Sequence, residues 1–299
     1  MSAKSFKGHP QTDKTSYEDL FSLGRCGASS MQGWRKYMED TYVIDCNFEH
    51  GCSFFAVFDG HGGSEVASYC ARHFGKQLKK LQEWKEHKYE EALVRAFLAI
   101  DEQMLTPQGQ RELKSLKLAD GMPSKAGCAS IVALIVEKTL YLAHLGDCKA
   151  ALMTENLNFV SKDHLPDDYG EQIRIAKAGG FIKHGRVNGI LNMSRALGDF
   201  EFKSNKFLPA ESQAVLAVPE IKKFEINTSI KYMLLGSDGL WELNSLPSIQ
   251  KSVKTFMLKS DSSSVARTCE SLLDLSIAKD TNHGLGCDNM TTILVIFHA

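Results

Sequence analysis

The sequence predicts an α+β fold in which sheets and helices form a layered sandwich. Seven short runs are rich in β-branched or aromatic residues, as strands are, and four segments carry apolar residues at helical spacing. The helical segments come as two consecutive pairs, without a strand between the members of a pair. Grouped strands and grouped helices favour a layered sandwich over a sheet whose parallel strands alternate strictly with helices.

The individual elements follow from local composition. The first helical pair is predicted at residues 64–81 and 93–104. The second pair is predicted at residues 249–257 and 265–277 and is begun by caps rich in Ser and Asp. The strands are short, and their number implies at least one large sheet. They are predicted at Thr41–Cys46, Ser53–Phe58, Ser130–Val136, Thr139–His144, Ala150–Thr154, Tyr232–Ser237 and Thr291–His298.

Three stretches are predicted to be irregular. Residues 1–22 are polar and unpatterned, which indicates a flexible or loosely docked N-terminal arm. Thr106–Gly127 and Ser204–Pro219 are predicted loops, and long loops beside an active face often act as lids or specificity elements. The chain has no internal repeat and no low-complexity segment, so we expect a single domain over residues 23–299.

Composition and charge exclude several classes of function. The 299 residues carry a net charge of −1 and have a pI near 6.8, so nothing favours nucleic acid or an anionic membrane surface as a partner. The longest apolar run, Ile131–Val136, is far too short to span a bilayer, and Ser2 occupies the position at which N-myristoylation needs glycine. We expect a protein of the cytoplasm or nucleus.

The sequence does not indicate the oligomeric state, and a monomer is the simplest expectation. Eight cysteines without a Cys-x-x-Cys pair are expected to be free buried thiols.

Four apolar runs adjoin an aspartate, and this repetition is the strongest functional indication in the chain. Three runs lead into Asp59, Asp147 and Asp238, and Asp288 stands just before the run Ile293–Phe297. Carboxylates at the ends of buried strands are costly unless a positive charge meets them. A metal ion is the simplest single partner for several of them.

Two of the motifs are ambiguous when each is taken alone. Asp59 could cap the helix predicted from Ser64, with the neighbouring glycines merely turning the chain. Arg35 precedes the acidic pair Glu39-Asp40, and a surface ion pair without function is the better explanation of that spacing when it is taken alone. Together with the other strand-end aspartates, however, these residues make a set of six carboxylates that only cations could hold together.

The residue types around the carboxylates indicate the ion and the chemistry. No His or Cys set at zinc spacing flanks them, and carboxylate, carbonyl and water ligands suit Mg²⁺ or Mn²⁺. Two ions that share a carboxylate would lie about 3.5–4 Å apart and would lower the pKa of a bridging water. Arg35 can bind a phosphate in a bidentate manner, and His61 can donate a proton to a departing alkoxide. A histidine chosen at random among the ten is more often structural, so the inference rests on the position of His61 beside Asp59.

Motifs of other hydrolases are absent from the sequence. There is no Gly-x-x-x-x-Gly-Lys-Ser/Thr loop, and no cysteine has an arginine six residues downstream. His-Glu-x-x-His and Gly-x-Ser-x-Gly do not occur either. These absences argue against P-loop nucleotidases, cysteine-nucleophile phosphatases, zinc proteases and serine hydrolases.

The ordered motifs resemble those of the metal-dependent protein serine/threonine phosphatases of type 2C. The resemblance implies a four-layer αββα sandwich of two mainly antiparallel sheets flanked by paired helices, with a dimetal site at one edge. It extends from about Leu23 to the C-terminus and rests on the blocks Gly33–Asp40, Phe54–Gly63, Ala143–Asp147, Arg186–Gly189, Ser194–Phe200, Val218–Glu220, Ser237–Glu242 and Asp288–Thr292.

The resemblance also implies a role for each candidate metal ligand. Asp59 would bridge two Mg²⁺ or Mn²⁺ ions, and Gly60 would supply its carbonyl oxygen. Glu39 would assist the second ion, whereas Asp238 and Asp288 would hold the first. Asp147, together with Asp238, would hold a weaker third ion.

For the substrate, the resemblance implies that Arg35 binds the phosphate group and that His61 acts as general acid. Arg186 maps near the substrate side, although a structural ion pair with Asp199 accounts for it equally well. The implied partners are phosphoproteins, in which phosphoserine and phosphothreonine would be hydrolysed by a dimetal-activated water without a covalent phosphoenzyme.

Two alternatives to this function stay open. One is a two-metal hydrolase of a different phosphate ester, such as a small metabolite, and the other is a binding module that keeps the fold but lacks catalysis. The chain departs from common relatives at Gly127-Cys128-Ala129, where Gly-Ser-Thr is usual, and at Gly146–Lys149, where Gly-Asp-Ser-Arg is usual. The length of Ser204–Pro219 also differs, which leaves substrate preference open.

Overall fold

The computed structural model describes residues 6–117, 125–154, 159–259 and 264–298. Short 3₁₀ turns occur at Phe200–Lys203 and Ala210–Ser212. The strands and α-helices are, in chain order, β1 (Phe6–Phe21), β2 (Gly24–Arg35), β3 (Asp40–Glu49), β4 (Cys52–His61), α1 (Glu65–Lys80), α2 (Gln82–Lys85), α3 (Tyr89–Leu105), α4 (Pro107–Leu116), β5 (Gly127–Val136), β6 (Thr139–Leu145), β7 (Lys149–Met153), β8 (Phe159–Val160), α5 (Tyr169–Lys177), β9 (Ile182–Lys183), β10 (Arg186–Val187), β11 (Leu197–Gly198), β12 (Glu220–Glu225), β13 (Tyr232–Gly236), α6 (Asp238–Trp241), α7 (Leu246–Lys259), α8 (Val265–Ser276) and β14 (Met290–Phe297).

Two large antiparallel sheets form the centre of the molecule. The first sheet has the order β1-β2-β14-β13-β7-β8, and the second has the order β12-β6-β5-β4-β3 with β11 paired to β5. A separate pair, β9 and β10, forms a small hairpin. Neighbours in the chain often pair directly, as β3 with β4 and β5 with β6 do, which short hairpin connections allow.

The central strands are buried on both faces, which explains why their sequences are apolar at nearly every position. On β4, Phe55 and Val57 face the core between the two sheets, whereas Phe54 and Phe58 face the helices on the other side. Side chains alternate between the two faces of a strand, so a strand covered on both sides needs apolar residues at both odd and even positions.

Helices cover the outer face of each sheet. Phe74 of α1 and Phe97 of α3 pack with the outward residues of β4 and β5, while Val253 of α7 and Leu272 of α8 pack with Leu234 of β13. The layers therefore follow the order helix, sheet, sheet, helix. This order confirms the four-layer αββα sandwich implied by the sequence motifs.

The N-terminal segment differs from the prediction. Phe6–Phe21 form β1, an edge strand paired with β2, so the prediction of a flexible arm is wrong for these residues; residues 1–5 lie outside the described part of the chain. Lys14 forms an ion pair with Asp274 at 2.6 Å, and the Ser264 hydroxyl donates to Glu18 at 2.6 Å. Because polar side chains make these contacts with α8 and its cap, the strand leaves no apolar pattern in the sequence.

The predicted loop Thr106–Gly127 contains the helix α4, so that prediction is wrong for Pro107–Leu116, while residues 118–124 lie outside the described ones. The Thr106 side chain accepts a hydrogen bond from the Gly109 N–H at 3.1 Å, and Pro107 begins the helix. A Thr cap followed by Pro is a helix start, although Pro and Gly suggest a loop by composition alone.

The predicted elements also lack α5, β12 and β2. The strand β2 is rich in glycine and serine, which have low strand propensity. Its glycines have a packing role, since a Cβ on Gly27 would lie 2.6 Å from the backbone nitrogen of Ala266 in α8. Close approach of the helix to the sheet thus requires the residues that hide the strand from sequence inspection.

Within the described residues, no helix is both long enough and apolar enough to cross a membrane. All eight cysteines belong to the described residues, and each is a buried free thiol, as the sequence predicts.

Candidate metal centre

Carboxylates from both large sheets meet at one end of the sandwich. Asp59 on β4 lies directly opposite Asp40 on β3 in the antiparallel register, and Asp147 follows β6. From the other sheet, Asp238 begins α6 immediately after β13, and Asp288 stands just before β14. The backbone N–H of Asp238 donates to Asp59 Oδ2 at 3.4 Å, which joins the two sets.

Glu39 and Gly60 lie against each other beside these carboxylates. A Cβ on Gly60 would lie 2.6 Å from the carbonyl oxygen of Glu39, so the close approach requires glycine. The alternative in which Asp59 caps a helix does not hold. Strand β4 continues through His61, and α1 begins only at Glu65, after Ser64 as its cap residue.

Arg35 ends β2 and forms an ion pair with Asp288, which is 253 residues away in the chain. Arg35 therefore forms a long-range ion pair, where the spacing in the sequence also allowed a local one with Glu39-Asp40. Burial lowers the pKa of Arg35, but the charge of Asp288 and its hydrogen bond outweigh burial and raise that pKa. The guanidinium thus lies at the acidic cluster, where a phosphate group would add further negative charge.

Burial and mutual repulsion raise the pKa values of the clustered carboxyl groups. For Asp59 and Asp238, burial is the first cause of the raised pKa and neighbouring aspartates are the second. Burial likewise raises the pKa of Asp147 and of Glu39. The charge of His61 opposes this rise for Asp147, and the charge of Arg35 opposes it for Glu39.

Asp40 has the same kind of shift. Burial first, and then the charge of Asp288, raise the pKa of Asp40 to about 7. Cations bound among these carboxylates would offset their mutual repulsion.

The ligand atoms at this cluster fit a divalent cation that prefers oxygen. One carboxylate oxygen each from Asp238, Glu242 and Asp288 lies within 4.8 Å of the other two. Carboxylate oxygens are the ligands of Mg²⁺ and Mn²⁺. Glu242 is not among the predicted ligands, although its spacing of four residues from Asp238 could have revealed it, because residues four apart share one face of a helical turn.

A second group of possible metal ligands, His144, His164 and Glu220, has the wrong chemistry. His164 Nδ1 accepts a hydrogen bond from the Gly146 N–H at 3.1 Å, so the proton of the neutral ring is on Nε2. Nε2 is the atom that faces Glu220, at 3.8 Å, and a protonated nitrogen cannot bind a metal. Burial, and then the charge of Arg195, lower the pKa of His164 to about 2. His144 Nε2 donates to the Lys162 carbonyl oxygen at 2.6 Å, so the two buried histidines of this group each bond to a backbone group.

His61 ends β4 and contacts Asp199. Its Nε2 lies 2.7 Å from Asp199 Oδ2. Burial lowers the pKa of His61, but the charge and hydrogen bond of Asp199, with further contributions from Asp147 and Glu39, raise it above its ordinary value. Within the described residues, the ion pair between Arg186 and Asp199 that the sequence also allowed is not among the salt bridges.

Arg186 lies on the small β9-β10 hairpin and is exposed. Its Nη1 donates to the Ile190 carbonyl oxygen at 2.7 Å, within the same hairpin. The contacts recorded for the described residues do not include one between Arg186 and the acidic cluster. A role in phosphate binding therefore stays a prediction for this residue.

Asn289 organises the loop that carries Glu39, and its role is not among the predictions. Its Nδ2 donates to the carbonyl oxygens of Gln32 at 2.8 Å and Tyr37 at 3.0 Å, and its Oδ1 accepts the Glu39 N–H at 2.9 Å. Its position directly after Asp288 was the one indication in the sequence. For Asp199 the sequence offers no local indication, because its partner His61 is 138 residues away.

Comparison with known proteins gives a consistent result. A family model described as protein phosphatase 2C matches residues 24–284. The chain is 44% identical over 271 residues to a probable protein phosphatase 2C 4 of Paramecium tetraurelia, covering 90% of each chain. It is 37% identical over 329 residues to a probable protein phosphatase 2C 21 of Arabidopsis thaliana, covering 98% of this chain and 92% of the relative.

Solved structures show the same architecture. A phosphatase from Toxoplasma gondii superposes with a TM-score of 0.78 at 26% identity, and the match covers 96% of each chain. A serine-threonine phosphatase 2C from Toxoplasma gondii superposes with a TM-score of 0.77 over 96% of this chain and 99% of the other. At 19% identity the second match supports the fold alone.

Proposed function

This chain belongs to the protein phosphatase 2C family, and we propose that it hydrolyses phosphoserine and phosphothreonine in proteins with Mg²⁺ or Mn²⁺ as cofactor. The observation that carries the proposal is the meeting of carboxylates from two sheets around Asp59 and Asp238, with Arg35 beside them. Relatives along nearly the whole chain are named protein phosphatases, which supports the same substrate class.

The acidic residues would hold the cations. Asp59, with the carbonyl oxygen of Gly60, would serve two ions, Asp238 and Asp288 would hold the first, and Glu39 would assist the second. Asp147 would contribute to a weaker third site. When bound, the ions lower the pKa of a coordinated water and offset the charge of the phosphate.

The other residues would act on the substrate. Arg35 forms an ion pair with Asp288, and cation binding by Asp288 would leave the guanidinium able to bind phosphate oxygens. Arg186 would approach the substrate from the β9-β10 hairpin. His61 would donate a proton to the departing serine or threonine oxygen. Water would attack the phosphorus atom directly, without a covalent phosphoenzyme.

The test is turnover of a phosphothreonine peptide with Mn²⁺ by wild type, Asp59→Asn and Asp238→Asn. We expect each substitution to lower the rate about 100-fold or more, because each removes a ligand charge from the centre. Excess chelator should abolish wild-type activity. Full activity in either variant, or in excess chelator, would contradict the proposal.

The same assay separates the proposal from its alternatives. Faster turnover of small phosphorylated metabolites than of phosphopeptides would indicate a metabolite phosphatase. Cation binding without turnover of either substrate would indicate a binding module. Trapping of a covalent phosphoenzyme would reject direct attack by water and leave the substrate class unaffected.

A further inference from the structure

We infer that Asp199 is the positioning residue for His61, and that it holds the ring so that Nδ1 is the nitrogen that serves the departing oxygen. The inference rests on the proposed function. His61 Nε2 lies 2.7 Å from Asp199 Oδ2, and Asp199 is 3% exposed. A buried carboxylate that accepts Nε2–H leaves Nδ1 as the only ring nitrogen able to reach a substrate.

The second sheet is built to allow this contact. His61 on β4 pairs with Gly127 on β5, and Gly127 pairs with Gly198 on β11, so Asp199 follows directly on the far side of β5. A Cβ on Gly127 would overlap both Asp199 Oδ2 and His61 Nε2. The glycine therefore leaves the space through which the histidine and the aspartate meet across the middle strand.

Asp199 has an unusual backbone conformation that its surroundings enforce. Its φ is +50°, in the left-handed region. Its N–H donates to the Ala126 carbonyl oxygen at 3.1 Å, and the preceding Gly198 N–H donates to Asp101 Oδ1 at 2.8 Å. Glycine or asparagine would satisfy this backbone at least as well as aspartate. The backbone therefore does not explain the carboxylate, whereas the contact with His61 does.

The chemistry of the proposed step makes the choice of nitrogen matter. As an oxygen from water bonds to phosphorus, that water gives up a proton to solvent, the bond between phosphorus and the ester oxygen breaks, and the Nδ1 proton of the imidazolium passes to the ester oxygen. His61 is left neutral with its proton on Nε2, which is the form that Asp199 accepts, and solvent then restores the Nδ1 proton. An aspartate that orients a catalytic histidine in this way is known from hydrolases of unrelated folds.

The test compares two substrates that differ in their need for a proton. A phosphothreonine peptide releases an alkoxide that must be protonated, whereas para-nitrophenyl phosphate releases a stable anion that need not be. Asp199→Asn and Asp199→Gly both suit the left-handed backbone, so neither should strain the fold. We expect both variants to lower kcat for the peptide about 10- to 100-fold, with little change in KM, and to change turnover of para-nitrophenyl phosphate by less than about threefold.

Glu112→Gln is the matched control. Glu112 Oε1 lies 2.8 Å from His73 Nε2, so this substitution breaks a similar histidine–carboxylate contact elsewhere and should leave both substrates unaffected. Equal losses on both substrates in the Asp199 variants would show a structural role and overturn the inference. No loss on the peptide would overturn it as well. Absence of turnover by wild type would instead contradict the proposed function.

A spectroscopic measurement tests the same point without turnover. Nitrogen-15 NMR of the His61 ring in the metal-free protein, at a pH where the ring is neutral, should show the proton on Nε2. The Asp199→Gly variant should show a mixture of both neutral forms. A wild-type ring protonated on Nδ1 would overturn the inference.

Discussion

Asp40 on β3 and Asp59 on β4 stand directly opposite each other in the second sheet, so two carboxylates occupy neighbouring positions on adjacent strands. Like charges placed opposite each other destabilise a sheet. Burial and the nearby Asp288 raise the pKa of Asp40 to about 7, because both disfavour its charged form. The site is therefore expected to reduce the stability of the protein until cations bind.

The variant Asp40→Asn should make the metal-free protein more stable. Removal of one charge from the cluster is expected to raise the free energy of unfolding by about 1–2 kcal/mol at pH 8 in excess chelator. Urea unfolding measures the difference. Asp13→Asn, which removes an exposed carboxylate on β1, is the control and should have little effect. A less stable Asp40→Asn protein under these conditions would contradict the electrostatic account.

Glu171→Gln should destabilise the protein in a manner that depends on pH. Glu171 Oε1 accepts a hydrogen bond from Arg195 Nη2 at 2.8 Å, and the other carboxylate oxygen forms an ion pair with Arg174. Arg174 also donates to the carbonyl oxygens of Gln213 and Ala214. Burial raises the pKa of Glu171, but hydrogen bonds from Arg195 and Ser194 and the arginine charges outweigh it and lower that pKa to about 2. The carboxylate therefore orients Arg174, which joins α5 to the Ser204–Pro219 loop.

The sign of the pH effect follows from the lowered pKa. The stabilisation by Glu171 is fully present above its unfolded pKa of 4.5 and is lost as the pH falls toward about 2. We expect Glu171→Gln to cost about 2–4 kcal/mol at pH 7 and clearly less at pH 3, as measured by urea unfolding. Glu112→Gln should cost under about 1 kcal/mol at pH 7. If Glu171→Gln lowers the free energy of unfolding by the same amount at pH 7 and pH 3, this account is wrong.

Asn289→Ala should impair the centre without removing a charged group. The substitution deletes three hydrogen bonds that fix Gln32, Tyr37 and Glu39. Groups that orient metal ligands contribute about 10- to 100-fold to affinity or activity, and we expect losses in that range in both Mn²⁺ affinity and peptide turnover. Asn282→Ala, at an exposed turn position, is the control. Unchanged Mn²⁺ affinity in Asn289→Ala would show that the loop is held by other contacts.

Gly127→Ala tests whether the space between His61 and Asp199 is needed for activity. The backbone of Gly127 does not have positive φ, so alanine is disfavoured only by its overlap with the two side chains. We expect turnover of the phosphothreonine peptide to fall about 10-fold or more, with para-nitrophenyl phosphate much less affected. Gly8→Ala, where a Cβ would meet nothing within 4 Å, is the control. Equal losses on both substrates would indicate a general disturbance of the sheet.

The parts of the fold and site that were predictable are those with strong local patterns. Central strands such as β4 are buried on both faces and therefore show continuous apolar runs. The aspartates at the ends of such runs stand out because the surrounding residues are apolar. For this reason Asp59, Asp147, Asp238 and Asp288 can be grouped from the sequence alone.

The missed parts depend on contacts between distant segments. The strand β1 is held by polar contacts with α8, and β2 is rich in glycine because a helix packs closely on it. Asp199 acquires its partner only when β11 pairs with β5, far from His61 in the chain. A contact that forms only through the pairing of distant strands leaves no periodicity or spacing in the local sequence.

Calorimetric titration of Mn²⁺ into the chelator-treated protein tests the central claim most directly, because it measures whether the strand-end carboxylates bind divalent cations. Wild type is predicted to bind more than one Mn²⁺ per chain, with saturation. Asp59→Asn is predicted to lose most of this binding, while Asp13→Asn retains it. Superimposable titrations of wild type and Asp59→Asn, or no saturable binding by wild type, would contradict the account.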